Sequence, residues 1–525
     1  MGICKSFVFA LTSFLCYTTF FAAHVRGARR APDGKEKIMF LESSAFQPCL
    51  SVLSPKDKLQ IFKSALQLMS RIGMFLFHEE ALILLAEAGC GIDENHRVTV
   101  PRHLVEKALA SAPADIPVYD RDGRPAMNVG GRRTYFGTGS DLMFSLDAKS
   151  MQRRPAGLKD VARAATVCDA LKNIDFIMSF AHDRELNPHH AYLESFWTMV
   201  QHSTKPIVNT AECRRDLSAM WGICQVLRNS EAAAREKPYT IHYAEPISPL
   251  KHPFDSIDKL MFCAQTGMPV IYSPAPIAGS TAPMTVAGHV VQGLAESLFG
   301  LVVHQLVSPG APFLMGMGAA VLDMRTSQCS YNAPEYLMAY LAMVEMSHYC
   351  NLPNWGYAGT TDSQIPDGQA TFEAGLLTYM SSVSGSNLNH DVGYLDFGLT
   401  GSLDMVVIMD EAIDMIRRLQ QGIVVDDEHV ALDVIAEAAL SGEFLSHAHT
   451  LKHVKTTQWL PSLISRDGHE KWSQTGEKTL LDRAADRLAD ILATHHPNGL
   501  NDRLKAVIQQ QVDGFQGRAI LNDEC

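Results

Sequence analysis

The chain has 525 residues, 46% of them hydrophobic, and a formal net charge of −12. A chain this long buries a large core, and α/β barrels with insertions run well past about 250 residues as one unit. The acidic balance, with no concentrated basic face, excludes nucleic acid as a partner, because neutralising phosphates takes clustered Lys and Arg.

Residues 1–38 form a signal-like or mis-started extension. Lys5 followed by the apolar, Phe-rich run Ser6 to Ala23 has the form of a secretory n-region and h-region, with Val25-Arg26-Gly27 as a small-residue cleavage site; the alternative is a true start at Met39. The eleven cysteines pull the other way: they scatter from Cys4 to Cys525 with no C-x-x-C pair, which favours a reducing, cytoplasmic setting over export.

Residues 39–130 read as an N-terminal helical layer. Ser54-Pro55-Lys56-Asp57 supplies an N-cap, a first-turn proline and an acid, and Leu59, Phe62, Leu66 and Met69 share one face before Gly73. Glu79 to Ala88 and Pro101 to Ala112 follow as shorter helices.

Residues 131–425 carry eight β-prone runs: Thr134 to Gly139, Asp175 to His182, Lys205 to Ala211, Tyr239 to Pro246, Met268 to Pro276, Pro312 to Ala319, Leu352 to Gly359 and Leu388 to Asp396. Helical-period segments separate them, such as Met284 to Leu306. Eight strands alternating with helices, without a G-x-G-x-x-G turn after the first, predict an α/β fold of the (β/α)8 TIM-barrel type with N-terminal and C-terminal helical extensions. Residues 426–525 return to helix, among them Glu428 to Leu440 and Lys478 to Thr494. These helices wrap the barrel or pair with a second copy in a homo-oligomer.

In such a barrel the chemistry sits at the carboxyl ends of the strands. The groups there include Asp141, His182, Glu245, Thr361, Asp362, His390 and Asp391, with Trp355 to Ser402 as the working end. His390-Asp391 is an orienting donor or proton carrier; its bland alternative is a cap Asp with a bystander His. Phe136, Tyr243, Tyr272, Trp355, Tyr357 and Tyr394 supply either a cation–π cage for a quaternary ammonium or ordinary core. Arg325 grips a substrate carboxylate or pairs with a neighbouring acid. His447, His449, His453 and Pro188-His189-His190 have metal-like spacing, but the first group lies far in sequence from the strand ends and no metal is assigned.

From about Leu53 to Gly514 the chain resembles the trimethylamine methyltransferase family. The matching phrases are Val100-Pro101 with Leu104-Val105, Tyr119-Asp120-Arg121-Asp122-Gly123, Pro309-Gly310-Ala311-Pro312, Asp323-Met324-Arg325-Thr326, Thr361-Asp362-Ser363, Pro366-Asp367 with Gln369 and Glu373, His390-Asp391, Asp410-Glu411 and His449-Thr450-Leu451. The resemblance implies a barrel enzyme that passes a methyl group from a methylated amine to the Co(I) of a separate corrinoid protein. No cofactor is then held tightly, and the corrinoid (cobalamin) is presented by that partner. Trimethylamine-specific members carry pyrrolysine, placed here near Gly359 to Ser363, where only standard residues occur. That departure shifts the expected donor to a small quaternary amine such as glycine betaine. The resulting expectation gives catalytic roles to His390, Asp391 and Glu245, and substrate contacts to Phe136, Tyr243, Arg325, Trp355, Tyr357, Thr361, Asp362 and Tyr394. The competing readings are a non-catalytic binder of methylated osmolytes and a metal-dependent barrel hydrolase.

Overall fold

A computed structural model describes residues 48–147 and 150–516; the signal-like extension at 1–38 lies outside the described residues. At the centre are eight short parallel strands. β1 (Tyr135–Phe136) continues to Gly137, which pairs with Phe176 of β2 (residues 176 and 177), and Ile177 pairs in turn with Ile207. β3 (Ile207–Asn209), β4 (Thr240–Ala244), β5 (Val270–Tyr272) and β6 (Phe313–Met315) are joined by parallel ladders. Met315 bridges to Asn354 beside β7 (Trp355–Tyr357), β7 pairs with β8 (Leu388–His390), and β8 pairs with β1. The ring of parallel pairs therefore closes on its first strand.

Each strand leads into a helix, as parallel neighbours require. These are α1 (Leu158–Ala170), α2 (Pro188–His202), α3 (Arg214–Arg228), α4 (Phe254–Thr266), α5 (Val286–Val307), α6 (Pro334–Tyr349), α7 (Gly368–Ser384) and α8 (Leu403–Gln420). Local chemistry fixes their ends: Asp367 and Ser402 cap α7 and α8, and Gly267 and Gly385 close α4 and α7 with positive φ. The molecule is thus a (β/α)8 barrel, as the alternation of strand and helix signals predicts.

The lumen holds its own core. Side chains alternate across each strand, so one parity faces inward: Phe176, Met178, Val208, Ile241, Ile271, Leu314, Trp355 and Leu388 cluster there. Ile116, Val118, Met127 and Val129, from a hairpin of Asp115–Tyr119 and Pro125–Gly130, join them. Tyr119 N–H donates to the Pro238 carbonyl and Arg121 N–H to that of Thr204, both just ahead of barrel strands, so the hairpin plugs the amino-terminal end. Outside, α5 is apolar all round because it is buried between the barrel and the helices Pro55–Gln67 and Arg102–Ser111. Leu480–Thr494 packs on α8 and α1, and Asp502–Gln516 on α3 and α2.

Two expected elements are cut short. β8 ends at His390 because Asp391 (φ 74°) and Gly393 (φ 95°) turn the chain, and Tyr394–Leu395 pairs instead with Thr400–Gly401. The helix expected over 428–440 breaks at Ala431, φ 54°.

Candidate active site

Strand parity places Tyr243 of β4 and Glu245 just after it, Tyr357 from β7 and His390 from β8 together at the carboxyl end of the lumen, directly above Trp355 of the apolar layer. The His390 ring stacks on Trp355 with centroids 4.2 Å apart and lies 4.5 Å from Tyr357. Tyr243 stands 5.8 Å from Trp355. Tyr331 and Tyr336 extend the group on the far side of Tyr357, at 6.4 and 5.9 Å. Burial pushes the Tyr243, Tyr357 and Tyr394 phenols well above their ordinary range, so the rings are neutral. Trp355 Nε1 and Tyr336 Oη are buried without a hydrogen-bond partner among the described residues.

His390 Nδ1 lies 2.7 Å from the Gly356 carbonyl. A carbonyl only accepts, so Nδ1 carries the hydrogen and Nε2 is the lone-pair nitrogen of the neutral ring. Nε2 lies 3.3 Å from Asp391 Oδ1. Burial depresses the His390 imidazole to about 3 and holds the Asp391 carboxyl well above the usual carboxylate range, so burial favours the neutral form of each.

Two more acids face the same space. Glu245 accepts the Tyr243 hydroxyl at 2.9 Å and is open to solvent within the mouth; the surrounding protein pushes its carboxyl up, and Asp141 adds to the shift. Asp141, with φ 62°, is likewise raised by burial and lies 3.9 Å from His182 Nδ1. Tyr394 donates to the Ser140 carbonyl at 2.5 Å. Gly139 is what admits this approach: a Cβ there would sit 2.1 Å from Asp391 Oδ1 and 2.4 Å from the Tyr394 oxygen. Gly318 does the same opposite Tyr357, whose hydroxyl a Cβ would meet at 2.8 Å.

Other residues expected here lie elsewhere. Phe136 is of the wrong parity: it points outward into the layer between barrel and helices, under the Arg417 guanidinium at 5.8 Å, so it cannot contact anything in the lumen. Tyr272 also faces outward, its hydroxyl 2.7 Å from His252 Nδ1. Arg325 sits outside the mouth, 89% exposed, with its guanidinium 3.3 Å from Asp323. Thr361 donates to Glu373 of α7 at 2.6 Å, which ties down the loop after β7. Asp362 accepts the Ser330 hydroxyl at 2.5 Å and the Tyr331 amide at 3.1 Å, so it acts on the site by holding the Tyr331 loop. His449 and His453 pack together in the C-terminal region, with His453 Nε2 3.1 Å from Glu428, while His447 pairs with Glu437. Sequence reasoning passed over Tyr331, Tyr336 and Gly139; the Gly137-Thr138-Gly139 spacing on β1 is the one local signal for them.

Fold and site together describe a barrel enzyme whose carboxyl end brings aromatic rings and acids together. The chain belongs to the trimethylamine methyltransferase (MTTB) family, whose model matches residues 23–514. It is 28% identical over 465 residues to the trimethylamine methyltransferase MttB of Desulfitobacterium hafniense strain DSM 10664 / DCB-2, covering 88% of this chain and 94% of that protein. It is 27% identical over 466 residues to the glycine betaine methyltransferase of D. hafniense strain Y51, covering 88% and 96%. Among solved structures it is similar to the Methanosarcina barkeri monomethylamine methyltransferase, with TM-score 0.43 and 15% identity over 83% of this chain and 92% of that one.

Proposed function

We propose that this protein transfers a methyl group from a quaternary amine to the Co(I) of a separate corrinoid protein. The observation that carries this reading is the Trp355–His390 stack, flanked by Tyr243 and Tyr357, at the carboxyl end of the lumen, opposite the hairpin plug. Ring faces attract an alkylated ammonium without hydrogen bonds, which such a cation cannot donate. A quaternary nitrogen departs as a neutral amine: the C–N bond breaks with its electron pair on nitrogen while the methyl carbon bonds to cobalt. No proton need reach the leaving group, and the neutral His390 suits a wall of the cage better than an acid catalyst. Positive charge on nitrogen falls toward the transition state, so neutral rings hold the substrate without over-stabilising its ground state. The chain's contribution is chiefly to strip water and aim one methyl out of the mouth, where the partner docks.

The test combines the purified chain, a Co(I) corrinoid protein and candidate methylated cations, and follows the cobalt spectrum. Methyl-Co(III) formation with a quaternary amine is expected; none with any quaternary amine, sulfonium or tertiary amine would overturn the reading. A Co(I) acceptor requires reducing conditions, so the proposed setting is the cytoplasm.

The homo-oligomer has a face available to it. Among the described residues, fourteen of the 33 exposed large apolar side chains fall within residues 419–464, including Leu440 (94% exposed), Leu445 and Ile423. The helix Ala448–Thr457 buries none of its residues. These side chains present on the order of 1,000 Å² of apolar surface, comparable to what each partner of a stable interface buries and more than a monomer ordinarily leaves bare. The segment starts where α8 ends, with Gln420 on the Ser382 carbonyl and Arg417 on Asp175 ahead of β2. That is the amino-terminal end of the barrel, so a second copy seated there leaves the mouth free.

A further inference from the structure

We propose that a second copy of this chain packs on the outer face of α7, extending the face at 419–464; this rests on the reading of the protein as a homo-oligomer. α7 is apolar on two sides. Ala370, Ala374 and Leu377 are buried toward the barrel, while Phe372 (70% exposed), Leu376 (39%) and Tyr379 (40%) stand out on another side. Positions i, i+4 and i+7 share one face of a helix, so these three form a stripe. α6, α8 and β7 pack on α7 and leave the stripe open. It adds on the order of 300 Å² of apolar surface to the 419–464 segment, and the two together exceed the roughly 800 Å² that each partner of a standard interface buries.

The surroundings of the stripe suit a second copy. Gln420 Nε2 donates to the Ser382 carbonyl at 3.0 Å, so the apolar segment begins beside the C-terminal end of α7 and the two surfaces run on from one another. Each chain carries a net charge of −12, and like-charged copies approach most easily through uncharged ground. α7 provides it: its one charged residue, Glu373, turns its carboxylate to the Thr361 hydroxyl and the Asp362 amide, at 2.6 and 2.9 Å. Gly375 lies on the stripe, between Phe372 and Tyr379, and a Cβ there would meet nothing within 4 Å. The packing of a single chain therefore does not call for a glycine at this position, where it weakens the helix relative to alanine. What it offers is bare backbone for the close approach of another helix, and a two-fold contact would set α7 against its own copy. α7 runs down the flank of the barrel from its carboxyl end, so the contact leaves the mouth open.

The experiment is sedimentation of the full chain, as wild type and as Phe372→Glu with Tyr379→Glu, together with photo-crosslinking of the full chain carrying p-benzoylphenylalanine in place of Leu376. The wild type is expected to sediment as more than one copy and the charged variant at a lower mass, with its far-UV circular dichroism kept because both positions are exposed. Irradiation is expected to give a species of twice the chain mass. An oligomer that the two glutamates leave intact, or crosslinks confined to one chain, would overturn the inference and leave the face at 419–464 standing. Confined crosslinks include those to residues 1–47, which join the described chain near the end of α7, where Leu50 N–H donates to the Val383 carbonyl at 3.0 Å. A monomeric wild type would instead remove the homo-oligomer itself, and the inference with it.

Discussion

His390 and Asp391 form a neutral pair, with the ring's Nδ1–H given to the Gly356 carbonyl and its lone-pair Nε2 3.3 Å from Asp391 Oδ1. The arrangement makes the two residues respond oppositely to pH. Asp391 is raised above its ordinary 3.8, so its contribution to stability is full below about pH 3.8 and is lost as pH rises through the folded-state value. His390 is depressed from 6.5 to about 3, so its contribution is present above pH 6.5 and is lost as pH falls toward 3. Asp391→Asn keeps a donor toward Nε2 and removes the ionisable group. It is expected to melt higher than the wild type at pH 7 and to lose that advantage near pH 4, as read by thermal unfolding across this range.

The cage predicts a graded response to ring removal. Trp355→Leu deletes the face under His390 and is expected to weaken binding of a quaternary ammonium by roughly tenfold, the effect of about 1.4 kcal/mol of cation–π and packing energy. Tyr243→Phe keeps the ring and loses only the hydroxyl bond to Glu245, so a change of about threefold or less is expected in the same titration.

Close packing at Gly139 predicts that a single methyl matters. Gly139→Ala places a Cβ where Asp391 and the Tyr394 hydroxyl now lie, so one of them must move. The expected outcome is a folded protein with methyl transfer reduced at least about tenfold, and a crystal structure of the variant showing Asp391 or Tyr394 displaced.

Two residues outside the lumen serve as controls. Arg325→Ala is expected to leave both ligand affinity and melting temperature unchanged, because its guanidinium is 89% exposed and pairs only with Asp323 of its own turn among the described residues. Phe136→Ala empties a buried site between the barrel and α8, and is expected to cost about 3–5 kcal/mol in denaturant unfolding while sparing ligand affinity in the folded fraction.

The apolar segment at 419–464 predicts an oligomer that a charge disrupts. Sedimentation of the wild type is expected to show more than one copy, and Leu440→Glu with Leu445→Glu to lower the mass. A monomeric wild type would contradict this.

The barrel is legible in the sequence because each strand carries a local signal, a short β-prone run between helical periods, and each of the eight runs contains a strand of the closed ring. Which ring faces the lumen is not legible in that way. Phe136 and Tyr243 both lie on strands near acids, yet the first faces helices and the second the lumen, because a one-residue change of parity reverses the face. Tyr331 and Tyr336 come from the β6–α6 connection and α6, and that loop is drawn to the mouth by Asp362, 31 residues from Tyr331 in the chain, and by the Asn332 amide on the Thr360 carbonyl. Arg325 has the right chemistry for a carboxylate, but its local bond to Asp323, two residues away, spends it on its own turn.

The most direct test of the account is a single-turnover assay with tetramethylammonium and free cob(I)alamin, comparing the wild type, Trp355→Leu and Arg325→Ala. Methylated cobalt is expected with the wild type and Arg325→Ala at equal rates, and at a rate lower by about tenfold with Trp355→Leu at subsaturating substrate. Equal rates with the wild type and Trp355→Leu, or no methylated cobalt from the wild type, would contradict it.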